Sequence, residues 1–301
     1  MKTACTHLNS LVVSRLCKVG LAVLIPIAAQ AQSCDDPRTI HFAAVPKSGV
    51  DRQQQTYGPL IKELERVLER RVELVRSNSY GAVVEGLYTA HIDLAELGPA
   101  SYALLMERQP SITAFAALSN AEQAAPLKPA TYRSVLVVRK DTNAKSVADL
   151  RGKTLSLTDP LSTSGALLPI QAIQKLTGQT METYFSRVTY AGSHLRALEA
   201  VHKGLVAAAF VSSTRLEEYN QRAPKSTSDL RVLWQSPDVP SDPFVYRTNL
   251  CKPVADKIRA VFFGSYPAFK PMFDELGGKR FVPVTDADYL SIRELVSGRR
   301  P

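Results

Sequence analysis

The alternation of short, apolar, β-rich stretches with amphipathic helical stretches is the feature that most constrains the fold of this chain. The stretch "TIHFAAV" at residues 39–45 predicts a buried strand. In residues 57–72 apolar side chains recur at helical spacing, and charged side chains occupy the opposite face. The stretch "VELVRS" at residues 72–77 predicts a second strand. Strands and helices that alternate at this pace predict βαβ units and a parallel sheet.

The same alternation begins again in the second half of the chain. Strands are predicted at residues 132–140, 186–192 and 230–236, with helical stretches between them. No low-complexity linker separates the two halves, and 301 residues are enough to bury a sizeable core. We therefore expect an α/β fold of two lobes, with a cleft between them that is a favoured place for a ligand.

The N-terminal segment has the composition of a secretory signal peptide. Basic residues without any acidic neighbour precede the apolar stretch "VGLAVLIPIAA", and "AQA" follows at residues 29–31. This order predicts a signal peptide over residues 1–31 and hence export from the cytoplasm. A membrane anchor is the alternative, but the apolar stretch is short for a membrane span and Pro26 interrupts it.

Two of the four cysteines lie in the predicted signal peptide, which leaves Cys34 and Cys251 in the exported chain. Cysteines of exported proteins often pair, because the compartment outside the cytoplasm is oxidising. We therefore expect a Cys34–Cys251 disulfide, and the alternative is two separate thiols.

The charge pattern narrows the classes of partner. Residues 1–31 carry three of the positive charges and no negative ones, so the exported chain has a net charge of 9 − 3 = +6, which suits an anionic small molecule but does not single one out. Basic residues do not cluster with aromatic residues, so no nucleic-acid partner is predicted. No group of His, Cys and Asp residues has the spacing of metal ligands. No metal or cofactor is therefore predicted.

The stretch "DPLSTSG" is the strongest local signal for a binding site. Ser162, Thr163 and Ser164 follow an Asp-Pro turn and precede an apolar helical run. One such residue is enough to cap a helix, and three in a row, with a helix N-terminus behind them, can donate several hydrogen bonds to an anion. Spacing alone leaves both helix capping and anion binding open. Pro169 lies beyond the first turn and predicts a kink.

Five segments together resemble the periplasmic phosphonate-binding protein family, the transport receptors for phosphate, phosphite and phosphonate. In chain order they are "SYGAVVEGLYTAHIDLAELGPASYALL", "TYRSVLVVRKD", "DPLSTSGALLP", "YAGSHLRALEAVHKG" and "SPDVPSDPFVYR". The similarity runs from about Ile40 to Val284. It implies a type II periplasmic binding protein, in which two crossing segments join two α/β lobes around a ligand cleft. Lobe 1 would contain residues 38–133 and 240–301, and lobe 2 residues 134–239.

The resemblance implies a set of ligand-binding residues. They are Tyr80, Tyr132, Ser162, Thr163, Ser164, His194 and Asp242. Hydroxyls, phenols and the imidazole would donate to the oxyanion, and titration of His194 would make affinity depend on pH near neutrality. In family members that bind aminoalkyl ligands, a carboxylate at the position of Asp242 holds the ammonium group of the ligand.

The chain departs from the aminoalkylphosphonate pattern at one point. A second carboxylate of that pattern matches Thr214 or Arg215 here, and neither is acidic. Relatives with small-anion ligands often carry Asp residues on the preceding strand, where Ala207 and Ser212 stand in this chain. A cationic tail is attracted less strongly when a carboxylate is missing. The phosphonate-type head group is therefore better supported than an amino tail.

These observations predict a non-enzymatic, exported receptor that captures a phosphonate- or phosphite-like oxyanion and delivers it to the membrane permease of an ABC transporter. The alternative is a ligand-sensing subunit for a membrane sensor kinase. A hydrolase that uses Ser164 and His194 is disfavoured, because the segment lacks the G-x-S-x-G elbow and a third orienting group.

Overall fold

A computed structural model describes residues 34–47, 50–108, 111–120, 128–222 and 229–298. The predicted signal peptide lies outside these residues. In chain order the strands are β1 (Thr39–Ala44), β2 (Arg71–Leu74), β3 (Leu94–Glu96), β4 (Ile112–Ser119), β5 (Thr131–Tyr132), β6 (Ser134–Arg139), β7 (Thr154–Leu157), β8 (Arg187–Tyr190), β9 (Ala208–Ser212), β10 (Leu230–Gln235), β11 (Val239–Pro240), β12 (Pro243–Arg247) and β13 (Arg280–Pro283).

The helices cover the faces of two sheets. They are α1 (Val50–Leu68), α2 (Tyr80–Tyr88), α3 (Pro99–Arg108), α4 (Leu168–Thr177), α5 (Met181–Tyr184), α6 (His194–His202), α7 (Ser213–Arg222), α8 (Lys252–Phe263), α9 (Lys270–Leu276) and α10 (Leu290–Ser297). Short 3₁₀ turns lie at Val147–Leu150, Pro267–Phe269 and Asp286–Tyr289. None of the described helices is long and apolar enough to cross a membrane.

The first lobe is built on a six-stranded sheet with the order β13-β4-β12-β3-β1-β2. Strand β1 pairs in parallel with β2 and β3, whereas β12 runs antiparallel to β3 and β4. Phe42, Ala43 and Ala44 are all buried, because helices cover both faces of the parallel part of the sheet. The continuous apolar run of the first strand thus reflects burial on both sides.

The second lobe is built on a five-stranded sheet with the order β10-β6-β9-β7-β8. Strand β7 is parallel to β8 and β9, and β6 is antiparallel to β9 and β10. The predicted parallel pairing thus holds for β7 with β8 and β9, but the antiparallel strands make the sheet mixed. Strands β6 and β12 each follow a segment that has just crossed from the other lobe, so they enter their sheets without the helical crossover that parallel pairing requires.

Two crossing segments join the lobes, and these segments lie next to each other. Strands β5 and β11 form a two-stranded antiparallel sheet in which Tyr132 is opposite Val239 and Thr131 is opposite Pro240. Together with the two larger sheets they form the type II periplasmic binding protein fold, an α/β fold of two lobes. The residue limits of the lobes, 38–133 with 240–301 and 134–239, stay a prediction.

The lobes also make direct contacts away from the crossing segments. Gln171 Nε2 on α4 donates a hydrogen bond of 2.9 Å to the carbonyl of Leu295 on α10. An apolar cluster, which includes Ala103, Leu167 and Ile292, packs beside this bond. The second lobe is therefore held against the C-terminal helix of the first lobe.

Cys34 and Cys251 are joined by a disulfide, with their Cα atoms 4.8 Å apart. The backbone on either side is paired as well, since Asp35 N donates to Asn249 O over 2.8 Å and Cys251 N donates to Asp35 O over 2.8 Å. The disulfide thereby links Cys34, the first described residue, to Cys251, the residue directly before α8.

Candidate functional site

The site is built where parallel strands of both lobes end. In the first lobe, the register pairs Ala44 at the end of β1 with Glu96 at the end of β3. In the second lobe, "DPLSTSG" follows the end of β7, and Ser212 ends the parallel neighbour β9. Carboxyl ends of parallel strands are the usual place for ligands in open α/β sheets. The two edges face each other across the cleft.

Asp159 connects the "DPLSTSG" turn to the opposite lobe. Its Oδ1 accepts a hydrogen bond of 2.9 Å from the amide of Leu161, which closes the turn. Its Oδ2 accepts a bond of 3.1 Å from the amide of Tyr80, the first residue of α2. One buried carboxylate thus holds the turn and the start of α2 in a single arrangement.

The helix after the turn begins with a π-helical segment at Thr163–Leu167. The amides of Ala166 and Leu167 both donate to the carbonyl of Ser162, over 3.1 and 2.9 Å. Pro169 has no N–H to donate back to the carbonyl of Gly165, and that carbonyl accepts instead from Thr158 N over 3.1 Å. The distortion predicted at Pro169 thus takes the form of a widened turn in the residues before it.

The three hydroxyl residues have different structural roles. Ser162 Oγ accepts from the amide of Gly165 over 3.0 Å and caps the helix. Thr163 Oγ1 accepts from the amide of Ala100 in the opposite lobe over 2.9 Å. The backbone carbonyl of Ser164 accepts from Ser134 Oγ over 2.6 Å. The hydroxyls also hydrogen-bond to the neighbouring phenols, Ser162 to Tyr80, and Thr163 and Ser164 to Tyr132.

Tyr80 and Tyr132 approach the turn from the first lobe and from the crossing segment. Burial raises the pKa of both phenols well above the usual value, and the negative charge of Asp242 adds to that effect. Both phenols therefore remain protonated, and each carries one hydrogen to donate. Tyr132 OH donates to Asp242 Oδ1 over 3.4 Å.

His194 is the first residue of α6, directly after the N-cap Ser193. Its Nδ1 accepts a hydrogen bond of 3.1 Å from the amide of Ser212, so the neutral ring carries its proton on Nε2. Burial, followed by the charges of Arg215 and Lys47, lowers the pKa of His194 to about 3. The prediction that this residue titrates near neutrality is therefore wrong for the unliganded site, because the imidazolium would be buried beside two cations.

Lys47 is a site residue that was not predicted from the sequence. Its Nζ lies 2.8 Å from Glu96 Oε1 and 2.6 Å from Asp242 Oδ2. Burial works against the ammonium, but the two carboxylates outweigh it and raise the pKa of Lys47. Burial raises the pKa of Asp242, and Lys47 opposes that shift. The sequence signal was the position of Lys47, three residues after a buried parallel strand, where site residues are expected.

Arg215 adds a second buried cation from the other lobe. Its guanidinium pairs with Glu218 and donates to the carbonyl of Leu276 over 3.3 Å. Its own amide donates to Ser212 Oγ over 3.2 Å. An aminoalkylphosphonate receptor would hold its second carboxylate at the position of Thr214 or Arg215. In this chain an anchored guanidinium is thus at that position or next to it.

One cavity between the lobes collects all of the residues predicted for ligand contact. Its walls include Tyr80, Tyr132, Ser162, Thr163, Ser164, His194 and Asp242, together with Lys47, Glu96, Ser212 and Arg215. The cavity is small, with an interior space of about 50 Å³. The structure therefore brings the predicted residues together, and their contact with a ligand stays a prediction.

The side chains of the cavity do not form a Ser–His–Asp triad. In such a triad the carboxylate accepts a hydrogen bond from His Nδ1–H, whereas His194 Nδ1 is itself the acceptor of a hydrogen bond from a backbone amide. Within the described residues, no group of three or more His, Cys, Asp or Glu side chains is arranged to hold a metal ion. Several neutral donors and two buried cations instead surround a small space.

Comparison with known proteins agrees with this description. Residues 42–289 match the family described as ABC transporter, phosphonate, periplasmic substrate-binding protein. The phosphonates-binding periplasmic protein of Escherichia coli (strain K12) is 26% identical over 294 residues, which cover 96% of this chain and 85% of that protein. The phosphate-import protein PhnD of Mycolicibacterium smegmatis is 28% identical over 279 residues, which cover 86% of this chain and 85% of that protein.

A solved structure extends the similarity to three dimensions. The crystal structure of a binding-protein component of an ABC phosphonate transporter from Pseudomonas aeruginosa superimposes with a TM-score of 0.77. It is 25% identical in sequence, and the match covers 86% of this chain and 86% of that chain. The chain therefore belongs to the family of periplasmic substrate-binding proteins of phosphonate ABC transporters.

Proposed function

We propose that this protein captures a small phosphorus oxyanion, a phosphonate or phosphate-type ion, in the cavity between its lobes and delivers it to the permease of an ABC transporter. The observation that carries the proposal is the convergence of donors on that cavity. The Ser162–Ser164 turn lies on one side, and the neutral His194 ring and the protonated Tyr80 and Tyr132 phenols complete the wall.

Neutral donors suit this task. A desolvated oxyanion is stabilised by hydroxyl, phenol and imidazole hydrogens and by the helix N-terminus behind Ser162, without the cost of a separate buried charge for each oxygen. One similar protein is named a phosphonates-binding periplasmic protein and the other a phosphate-import protein. Phosphonate and phosphate share a tetrahedral phosphorus head group. That common head group supports the ligand class.

Two features support a periplasmic location for this chain. The predicted signal peptide at residues 1–31 would export it. The Cys34–Cys251 disulfide belongs to an oxidising compartment. Delivery to a permease is inferred from the family to which the chain belongs. A sensing role beside a membrane kinase, the alternative considered from the sequence, has no observation in its favour.

The test is calorimetric titration of the exported protein, purified from the periplasm, with phosphate, phosphite, methylphosphonate and sulfate. We expect at least one phosphorus oxyanion to bind, and at a ligand concentration of about 100 times its Kd to add about 2.7 kcal/mol to the free energy of unfolding. The absence of both heat and thermal stabilisation with all three phosphorus oxyanions would overturn the proposal.

A further inference from the structure

Lys47 sets the charge of one end of the cavity. We propose that Lys47 is a specificity-determining residue: its ammonium permanently occupies the anionic end of the cavity, so that the site accepts phosphorus oxyanions with an uncharged substituent and discriminates against those with an amino tail. The inference rests on the proposed function and concerns only the substituent on the phosphorus head group.

The position of the ammonium is the first support. Lys47 Nζ bridges Glu96 and Asp242 at 2.8 and 2.6 Å, and all three side chains line the cavity. The Glu96 side chain is fully buried, and those of Lys47 and Asp242 are each 14% exposed. An unpaired carboxylate at such depth is strongly unfavourable, so the two carboxylates need a cation in this position.

The remaining hydrogen-bonding capacity of the carboxylates is the second support. The other oxygen of Glu96 accepts a hydrogen bond from Tyr57 OH, and the other oxygen of Asp242 accepts from Tyr132 OH over 3.4 Å. All four carboxylate oxygens therefore already face a donor that belongs to the protein. To pair with both carboxylates at once, a ligand ammonium would have to take the place of the Lys47 ammonium, which is tethered to the chain.

The second buried cation is the third support. Arg215 lines the same cavity from the second lobe, and its guanidinium is anchored by Glu218 and by the carbonyl of Leu276. A cationic tail in this cavity would be repelled by both Lys47 and Arg215. An uncharged alkyl substituent or a hydrogen atom meets no such penalty.

The experiment compares ligands that differ only in the charge of one end group. Ethylphosphonate and aminomethylphosphonate form one isosteric pair, and propylphosphonate and 2-aminoethylphosphonate form a longer one. Dissociation constants are measured by calorimetry for wild-type protein, for Lys47→Ala and for the control Lys62→Ala, whose lysine is exposed on α1. Methylphosphonate and phosphate are titrated in parallel to report on the head-group site.

The wild-type protein should bind the alkyl member of a pair at least about tenfold more tightly than the amino member. In Lys47→Ala the ratio should move toward the amino compounds by at least about tenfold, since the ligand ammonium then supplies the missing cation. Lys62→Ala should retain the wild-type ratio. A wild-type protein that binds the amino compounds as tightly as the alkyl compounds would overturn the inference, and that measurement needs no variant.

Two further outcomes are informative. If Lys47→Ala does not fold because Glu96 and Asp242 are left unpaired, the double variant Lys47→Ala/Asp242→Asn removes one of these carboxylates. Its ratio of dissociation constants should still shift toward the amino compounds, because Glu96 remains. If the wild-type protein binds methylphosphonate but no member of either pair, Lys47→Ala must gain binding of the amino compounds. A variant that gains binding of the alkyl compounds alone, or of no compound, contradicts the inference. Failure to bind methylphosphonate and phosphate would instead count against the proposed function.

Discussion

The Nδ1 atom of His194 accepts a hydrogen bond from the amide of Ser212 over 3.1 Å, and this bond determines which ring nitrogen carries the proton. The amide can only donate, so Nδ1 must be unprotonated and the ring offers its Nε2–H to the site. Ser212, the last residue of β9, thus selects both the tautomer and the neutral state of His194 on α6.

The neutral state of His194 predicts a pH dependence of stability. The pKa of this residue is lowered to about 3 in the folded protein from about 6.5 in an unfolded chain. Between these two pH values the unfolded chain binds a proton that the folded protein does not, so the free energy of unfolding decreases as the pH falls. At about pH 5 the loss due to this residue should be about 2 kcal/mol relative to about pH 7.

Urea denaturation of wild type and His194→Asn at both pH values checks this. The Asn side chain retains an acceptor for the Ser212 amide but does not titrate, so the difference between the two proteins isolates the imidazole. An equal pH dependence in both proteins would show that His194 does not titrate with a depressed pKa.

Removal of the Ser164 hydroxyl should weaken ligand binding with little effect on folding. Ser164→Ala retains the backbone carbonyl that accepts from Ser134 Oγ, so the turn keeps its support. Loss of one charge-assisted hydrogen bond should raise the Kd of methylphosphonate or phosphate about 10- to 100-fold. Calorimetry is the measurement, and Ser186→Ala, at an exposed position of the same lobe, is the matched control. An unchanged Kd in Ser164→Ala would exclude this hydroxyl as a donor.

A methyl group at Gly165 should disrupt the turn. A Cβ atom there would lie 1.7 Å from Thr158 Oγ1, which forces the strand end and the helix start apart. Gly165→Ala should therefore lower the free energy of unfolding by about 1–3 kcal/mol or more and also weaken ligand binding. The measurement is chemical denaturation together with calorimetry.

The control for this change is Gly81→Ala in α2. A Cβ atom there meets its nearest neighbours at 3.9 Å, an ordinary contact, and alanine favours a helix. It should be neutral or stabilising by up to about 1 kcal/mol. If Gly165→Ala were as well tolerated as Gly81→Ala, the close approach to Thr158 would not constrain the turn.

The disulfide should contribute to stability and not to binding. Cys34 and Cys251 lie outside the residues that line the cavity. Replacement of both cysteines by serine should lower the free energy of unfolding by about 2–5 kcal/mol, while the Kd of the ligand should remain within about twofold. Denaturation and calorimetry with the oxidised wild type as reference test this. A large loss of affinity at full folding would show that the disulfide positions the site.

Several elements of the fold were predictable because their signals are local. Strand β1 and helix α1 follow from an apolar run and from helical periodicity, although α1 begins at Val50, before the periodic stretch. The antiparallel placement of β6 and β12 was not predictable, since it depends on where the chain re-enters a sheet after crossing between lobes.

The sequence alone determined the alternation of strands and helices, the family resemblance and the hydroxyl-rich turn at Ser162–Ser164, because each depends on neighbours along the chain. Only the tertiary structure decided the charge state and pairing of the site. The neutral form of His194 depends on the Ser212 amide and on burial, and the pairing of Lys47 with Asp242 joins residues that are far apart in the sequence. Protonation and ion pairing respond to distance and solvent exclusion, which no linear pattern records.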